Sequence, residues 1–305
     1  MMKQDSDSLY RFLFERTGVR GELVYLDASF RAVLERHPYP GPVQRPLGEA
    51  LAAVLLLTAT LKFEGSLILQ ARGKGPLRTL VTQATHNRTV RGLARWSDEV
   101  PYGDLEQQFG DGHLVLTLDP LRGERYQGIV PLQGSSLRAA LEAYFGASEQ
   151  LPTRLWLAVD GQRAAGMMLQ QMPGNTGDNN SQSPPTNRVL DHDGWHRTTL
   201  LADTLSEREL LDLKAQDLLL RLFHEEEVRL FEPEPVAFRC SCSRIRIADT
   251  LRAIGRTEVD DILEEQGSVG ATCEFCNRNY RFDAVDVQEL FAESVIPADI
   301  HVRQH

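Results

Sequence analysis

CSCSRIRIADTLRAIGRTEVDDILEEQGSVGATCEFC, residues 240–276, holds all four cysteines of a 305-residue chain. They form two close pairs, Cys240-Ser241-Cys242 and Cys273-Glu274-Phe275-Cys276, with 30 residues between the pairs. Four thiolates in two such pairs match a tetrahedral Zn²⁺ site with Zn–S bonds of about 2.3 Å. The segment around them has few large apolar side chains, so its core alone is marginal. A structural zinc ion contributes on the order of 10–16 kcal/mol of apparent folding energy to units of this size. Two readings of the cysteines stay open on spacing alone. One is a permanent zinc staple. The other is a redox switch, because zinc keeps thiols ionised and the thiolate is the species that oxidants attack. Loss of ligands to oxidation would release zinc and melt a unit that depends on it.

Charge is unevenly placed along the chain, whose formal net charge is −10. Residues 1–200 carry 21 Lys+Arg against 21 Asp+Glu, residues 201–235 carry 4 against 10, and residues 236–305 carry 8 against 12. Acidic segments repel phosphate backbones, which argues against a nucleic-acid partner. The start, MMKQDSDSLY, has no apolar secretory region. The greasiest stretch, Leu47 to Phe63, contains Glu49 and Lys62 and is too short and mixed to span a bilayer. These features predict a soluble cytoplasmic protein with no membrane partner. In that reducing compartment clustered cysteines are metal sites or redox centres rather than static disulfides.

The pattern predicts an α+β fold in three parts. Residues 1–172 read as a mixed α/β core domain with an antiparallel sheet. Strands are expected at Glu22–Asp27, Gly65–Ala71, Leu77–Ala84, His113–Leu118, Gln127–Pro131, Arg154–Val159 and Ala164–Met172. Helices are expected at Ser29–Arg36, from Pro46 through Lys62, and at Ser135–Ala147. The Pro46 helix is apolar nearly all round, which predicts full burial.

Residues 173–238 read as a loop, Pro173 to Asn187, followed by a helical linker. In the linker Ser206 and Glu209 fit a capping box, and Leu210, Leu211, Leu218, Leu219, Leu222 and Phe223 supply an apolar stripe. This helix needs a surface for its leucines. FEPEP, Phe231 to Pro235, then ends regular structure. Residues 239–305 form the small cysteine domain. Its expected helices carry Ile247, Leu251 and Ile254, stopped by Gly255, and Val259, Ile262 and Leu263, capped by Thr257 and stopped by Gly267. β-like stretches, Ser268–Thr272 and Tyr280–Phe282, flank the CEFC turn.

Other constellations carry little chemistry. His224-Glu225-Glu226 has the His-x-Glu form of zinc deaminases, but Thr272 rather than proline precedes Cys273. A closed four-sulfur shell also leaves no position for a catalytic water. Arg72-Gly73-Lys74-Gly75-Pro76 lacks the Gly-Lys-Ser/Thr of a phosphate loop and reads as a tight turn. Arg88, Arg91 and Arg95 beside Trp96 read as one solvated helical face. No enzymatic site emerges.

Several long motifs resemble the heat-shock protein 33 family of redox-regulated holdase chaperones. Cys240, Cys242, Cys273 and Cys276 match its Cys-x-Cys and Cys-x-x-Cys pattern. LLRLFHEEEVRLFEP (219–233), YQGIVPL (126–132), SEQLPTRLWLA (148–158) and EEQGSVGATCEFCNRNYRF (264–282) match its other segments. One departure is Ile245, where the family often has an acidic residue between two arginines. The resemblance implies a reduced, inactive monomer with one Zn²⁺ on the four cysteines. It implies oxidation to Cys240–Cys242 and Cys273–Cys276 disulfides, zinc release, unfolding of the cysteine domain and loss of order in the linker. The oxidised form, a homodimer, would hold unfolding client proteins without ATP. A Cys-x-Cys disulfide is strained and therefore readily reduced back.

Two other classes are distinguishable. A zinc-ribbon module recruiting protein or nucleic acid, with purely structural zinc, would lose function on oxidation. A thiol-disulfide enzyme would turn over, and it would place its Cys-x-x-Cys at a helix start.

Overall fold

The computed structural model describes residues 6–62, 64–97, 99–132, 134–172 and 193–292. The loop expected at 173–187 lies outside them. The chain forms two compact units, Met1–Arg239 and Cys240–His305.

The first unit runs β1 (Ser8–Phe14), β2 (Val19–Leu26), α1 (Ala28–Leu34), α2 (Gly41–Ala59), β3 (Gly65–Gly73), β4 (Leu77–Thr85), β5 (Thr89–Trp96), α3 (Leu105–Phe109), β6 (Gly112–Pro120) and β7 (Tyr126–Pro131). It continues with α4 (Leu137–Tyr144), β8 (Thr153–Val159), β9 (Ala164–Gln171), α5 (Gly194–Ala202), α6 (Glu207–Asp212), α7 (Ala215–Phe223), β10 (Val228–Leu230), β11 (Glu234–Pro235) and β12 (Ala237–Phe238). One sheet, A, has the order β10-β1-β2-β9-β8, with β11 also on β1; the other, B, has the order β12-β5-β4-β3-β6-β7. All pairs are antiparallel except β12 beside β5. The second unit contains α8 (Arg244–Ile254), α9 (Arg256–Gln266), a β13 (Val269–Thr272) to β14 (Asn279–Phe282) hairpin, and α10 (Ala284–Ala292). The fold is thus α+β with antiparallel sheets. No helix among the described residues is long and apolar enough to cross a membrane.

Helix α2 packs against strands of both sheets and is buried over nearly its whole length from Pro46 to Ala59. Its start differs from expectation. The helix begins at Gly41, after Pro40 as N-cap and with Pro42 in the first turn, so Pro46 lies inside it. A proline there cannot donate to the carbonyl four residues back. That carbonyl, of Pro42, accepts instead from Gln108 Nε2 at 3.1 Å. At the other end the helix stops at Ala59, short of Lys62, where Thr60 Oγ1 donates to the Leu57 carbonyl at 2.9 Å.

Three further expectations change. Arg91, Arg95 and Trp96 lie on strand β5, not on a helix face. Residues four apart satisfy both the helical and the strand period, so Arg91 and Arg95 could not separate the two. Arg88 precedes the strand at φ 58° and is buried. The linker stripe is two helices, because Leu213 is extended and its carbonyl accepts from Tyr25 Oη at 3.0 Å. The capping box at Ser206 and Glu209 is present. FEPEP does not end regular structure: Glu234–Pro235 pairs with β1, and Ala237–Phe238 with β5. A proline tolerates such an edge position because no donor is needed there. In the second unit, Gly255 rather than Thr257 caps α9.

Sheet A buries both faces. Leu9, Val24, Leu26, Leu155 and Met168 meet α2 and sheet B in the main core. On the opposite face Phe12, Phe14, Leu23, Trp156, Met167 and Leu169 meet Leu210, Leu211, Leu218, Leu219, Leu222 and Phe223. The leucine stripe therefore finds its surface on sheet A. The linker's carboxylates meet arginines of strand β8, of the β1–β2 and β8–β9 turns and of α2. Asp203 pairs with Arg154 at 3.0 Å, Asp212 with Arg163 at 3.0 Å, Glu227 with Arg16 at 2.7 Å, and Glu207 with Arg45. Glu234 receives both Arg11 and Arg88.

Glu22 lies on β2, opposite Arg11 in register, and is only 3% exposed. Its Oε2 has no hydrogen-bond partner. Burial pushes its pKa up to about 7, against the pull of Arg20, Arg11 and Arg88. Burial likewise raises Glu49 on α2 to about 7, although Arg45 opposes it. A carboxyl whose pKa is higher folded than unfolded favours the folded state while it is protonated. For Glu22 that contribution is fully present below 4.5 and is lost as pH rises through about 7. Urea unfolding should therefore show stability falling between pH 5 and 8. Glu22→Gln should gain roughly 1–3 kcal/mol over the parent at pH 8 and little at pH 5. A parallel pH dependence in parent and variant would refute the assignment.

Candidate metal centre

The cysteine unit has a small core, in which Leu251, Val259, Val269, Phe282, Val287 and Leu290 are buried beside Cys273 and Tyr280. Ser243 caps α8 by accepting from the Arg246 amide at 3.2 Å, which fixes the helix directly after the first cysteine pair. The second pair sits in the turn between β13 and β14 and not at a helix start. Asn277 at φ 58° lets that turn close, with its amide donating to the Cys273 carbonyl at 2.7 Å. The Cys273 amide in turn donates to the Arg278 carbonyl at 2.9 Å.

The four sulfurs converge, all within 4.8 Å of one another. Cys240 Sγ lies 3.6 Å from Cys273 Sγ, and Cys242 Sγ lies 3.3 Å from Cys276 Sγ. Both short contacts link one pair to the other, and none of the four cysteines is in a disulfide. Sulfurs at about 2.3 Å from a shared tetrahedral ion sit about 3.8 Å apart, so the cluster can hold a metal ion with small adjustments. It is the one group of metal-ligating side chains of this kind among the described residues.

Backbone amides of Phe275 and Cys276 donate to the Cys273 sulfur, and that of Arg278 to Cys276. Tyr280 Oη donates to Cys242 Sγ at 3.1 Å. Burial works against the Cys242 thiolate, but the Tyr280 hydrogen bond and those of the neighbouring thiols bring its pKa down to about 7. Burial and the clustered sulfurs push Cys276 up to about 12, and burial raises Cys273 as well. Four thiolates cannot crowd together without a compensating cation, whereas one divalent ion offsets their mutual repulsion.

Tyr280 was not singled out in the sequence. The signal lay in strand alternation, which puts it on the same face as Phe282, two residues on. The arginines flanking Ile245 find partners without an acidic neighbour. Arg244 pairs with Asp286 at 2.7 Å and lies 4.2 Å from the Phe282 ring centroid, while Arg246 donates to Ser241 Oγ at 2.8 Å. His224 is exposed at the end of α7, beside Glu225 at 3.9 Å, and Glu226 pairs with Arg197 at 2.6 Å. The His-x-Glu reading thus ends in a solvated helix terminus. In the Arg72–Pro76 turn, a Cβ on Gly73 would come within 2.1 Å of the Phe109 carbonyl oxygen.

A family model described as Hsp33 protein matches residues 7–283. The chain belongs to the Hsp33 family. Proteins named 33 kDa chaperonin are similar to it across nearly their whole length. That of Nitrosococcus oceani is 55% identical over 95% of this chain and 96% of its own. That of Pseudomonas aeruginosa strain PAO1 is 49% identical over 94% and 95%. The crystal structure of the 33 kDa chaperonin (heat shock protein 33 homolog) of Thermotoga maritima shares the fold. It matches with a TM-score of 0.79 at 24% identity, covering 95% of this chain and 99% of that one. Membership makes this chain a chaperone-family protein whose cysteine cluster can bind a metal.

Loading the reduced protein with Co²⁺ should give thiolate-to-metal charge-transfer absorption at one ion per chain. Cys242→Ser or Cys276→Ser should abolish it and melt α8–α10 as read by proteolysis, with the sheets intact. A Cys276→Ser protein that keeps a four-sulfur spectrum would rule out this ligand set.

Proposed function

We propose that this chain is a redox-regulated, ATP-independent holdase. In the reduced state Cys240, Cys242, Cys273 and Cys276 hold one zinc ion, which supplies the positive charge and the cross-link that the small core of residues 239–305 lacks. Residues 1–172 act as the holding domain and 173–238 as a metastable linker.

The observation that carries the reading is the burial of the linker stripe on sheet A. Phe223 is 2% exposed and its ring meets that of Phe14 at 4.9 Å between centroids. Removing the linker would uncover a contiguous apolar surface on β1, β2, β8 and β9, together with the linker's own leucines. Exposed patches of that kind bind unfolded chains.

Oxidation supplies the trigger. Cys240 pairs with Cys242 and Cys273 with Cys276, which withdraws all four ligands. Forming each disulfide passes two electrons from a cysteine pair to one peroxide, which with two protons becomes two waters. The linker's last strand ends at Phe238, two residues before Cys240. Its anchors there are brief: β11 and β12 span two residues each, and Arg239 donates to the Val90 carbonyl at 3.1 Å. Loss of order at Cys240 therefore frays these contacts first, and heat extends the release. The clients are unfolding polypeptides, the setting is the cytoplasm, and the oxidised form associates as a homodimer. No nucleic acid or membrane is needed.

Hydrogen exchange across 193–238 should accelerate on oxidation at raised temperature, together with zinc release and a gain in suppression of client aggregation. Unchanged protection there would end the proposal. Phe223→Ala should weaken linker docking by about 3–5 kcal/mol and make the reduced protein active without oxidant. Because the linker also docks through ion pairs, activation should come at lower temperature in high salt.

A further inference from the structure

The chain has five methionines. The three among the described residues, Met167, Met168 and Met172, lie on and just beyond β9. Their cover differs. Met172, past the end of the strand, is 37% exposed. Met167 and Met168 are each 0% exposed, but strand alternation sends them to opposite faces of sheet A.

Met168 faces inward. It joins the main core with Leu155, its register neighbour on β8, and α2 packs against β9 on this side. The cover is tight: a Cβ on Gly166, two residues back on the same face, would come within 2.9 Å of Leu56 Cδ1 on α2. Cover of this kind, at the centre of a unit, leaves only when the unit unfolds.

Met167 faces outward, in register between Leu23 of β2 and Trp156 of β8. It shares its apolar cluster with Leu210, Leu211, Leu218 and Phe223 of the linker, and α6 packs against β8 and β9. Linker anchors lie close by along the strands. Tyr25, in register with Ala165, donates to the Leu213 carbonyl at 3.0 Å, and Arg163 Nη1 donates to the Leu211 carbonyl at 3.1 Å. A lone core methionine is a flexible gap-filler. Here two adjacent sulfurs of equal burial sit under different covers, one fixed and one detachable.

We propose that Met167 is a second oxidation site, opened by linker release, whose sulfoxide keeps the linker from re-docking after the disulfides have been reduced. The proposal rests on the holdase reading and adds a memory to it. The thioether sulfur attacks one oxygen of hydrogen peroxide. The O–O bond breaks, an S–O bond forms, and the other oxygen leaves with both peroxide protons as water. Sulfur loses two electrons and peroxide gains them. The sulfoxide is larger and more polar than the thioether, at a position that docking buries completely. It therefore penalises the docked state and not the released one. Its reversal takes a methionine sulfoxide reductase, so re-docking waits on two separate reductions.

The test holds the full-length protein, zinc-loaded and then oxidised to its disulfide form, in excess hydrogen peroxide at low and at raised temperature. Fragment-ion mass spectrometry over residues 164–172 assigns sulfoxide to each methionine, with rates taken relative to Met172. Hydrogen exchange over 193–238 follows the linker in parallel. Met167 should oxidise at least about tenfold faster once the linker exchanges freely, while Met168 stays slow. Phe223→Ala should give the fast Met167 rate at low temperature. After thiol reduction and return of zinc, the sulfoxidised protein should show linker protection about tenfold below its starting value. Met167→Leu, treated identically, should recover it in full, and methionine sulfoxide reductases should restore the parent. Equal rates at Met167 and Met168 with the linker released, or the same recovery in parent and Met167→Leu, would overturn the proposal. The holdase reading fails on a different result, unchanged linker exchange after oxidation, and Phe223→Ala then still decides whether an undocked linker opens Met167.

Discussion

The apolar side chains on the outer face of sheet A have helices α5–α7 as their cover. Phe12, Phe14, Leu23, Trp156 and Leu169 would face water without it, and so would Leu210, Leu218, Leu222 and Phe223. Neither partner is optional for the other. A linker of short helices interrupted at Leu213 has no stability of its own. A sheet with one bare apolar face remains folded, because α2 and sheet B secure its opposite side. The asymmetry decides which part gives way: detaching the linker costs the contact and leaves the rest of the first unit standing.

Charge reinforces the same contact. In the fold, Asp203, Glu207, Asp212, Glu227 and Glu234 each meet an arginine outside helices α5–α7. These pairs are mostly solvated, so each contributes about 0–1 kcal/mol and salt weakens it. They set register and orientation more than strength. Once the linker is free, the same carboxylates repel one another and keep it extended. On the proposed function, one set of residues would serve docking in one state and solubility in the other.

The sequence carried the cysteine cluster in full because metal chemistry depends on residue type and spacing, both visible in one dimension. It carried β2, β8 and β9 of sheet A and β3, β4, β6 and β7 of sheet B for a similar reason, since turns such as Gly73–Pro76 punctuate them. What it concealed was tertiary compensation. Pro46 looked like a helix start because a proline inside a helix leaves a carbonyl unpaired, and the remedy, Gln108, lies 62 residues away. Leu213 breaks the linker helix although no glycine or proline marks it, because Tyr25 takes its carbonyl. Arg91 and Arg95 fit a helix and a strand equally. FEPEP reads as a terminator, yet its last two residues pair with β1, and Ala237–Phe238 just beyond them pair with β5 in the other sheet.

Those short strands matter for the order in which the structure can come apart. From α7 to Cys240 the chain is held by β10, β11 and β12, with the Arg11–Glu234–Arg88 contact at the centre. Strands of two residues pair too few groups to persist when one end is freed, because each unpaired residue regains backbone entropy of about 1–2 kcal/mol. The anchor nearest the cysteines is therefore the weakest, and the apolar contact of α6 and α7 farther back is the strongest. In the proposed switch, a signal that acts on Cys240–Cys276 alone would undo the first and leave the second in place. Heat, which raises the entropic gain of the freed chain, is the physical complement needed to undo both.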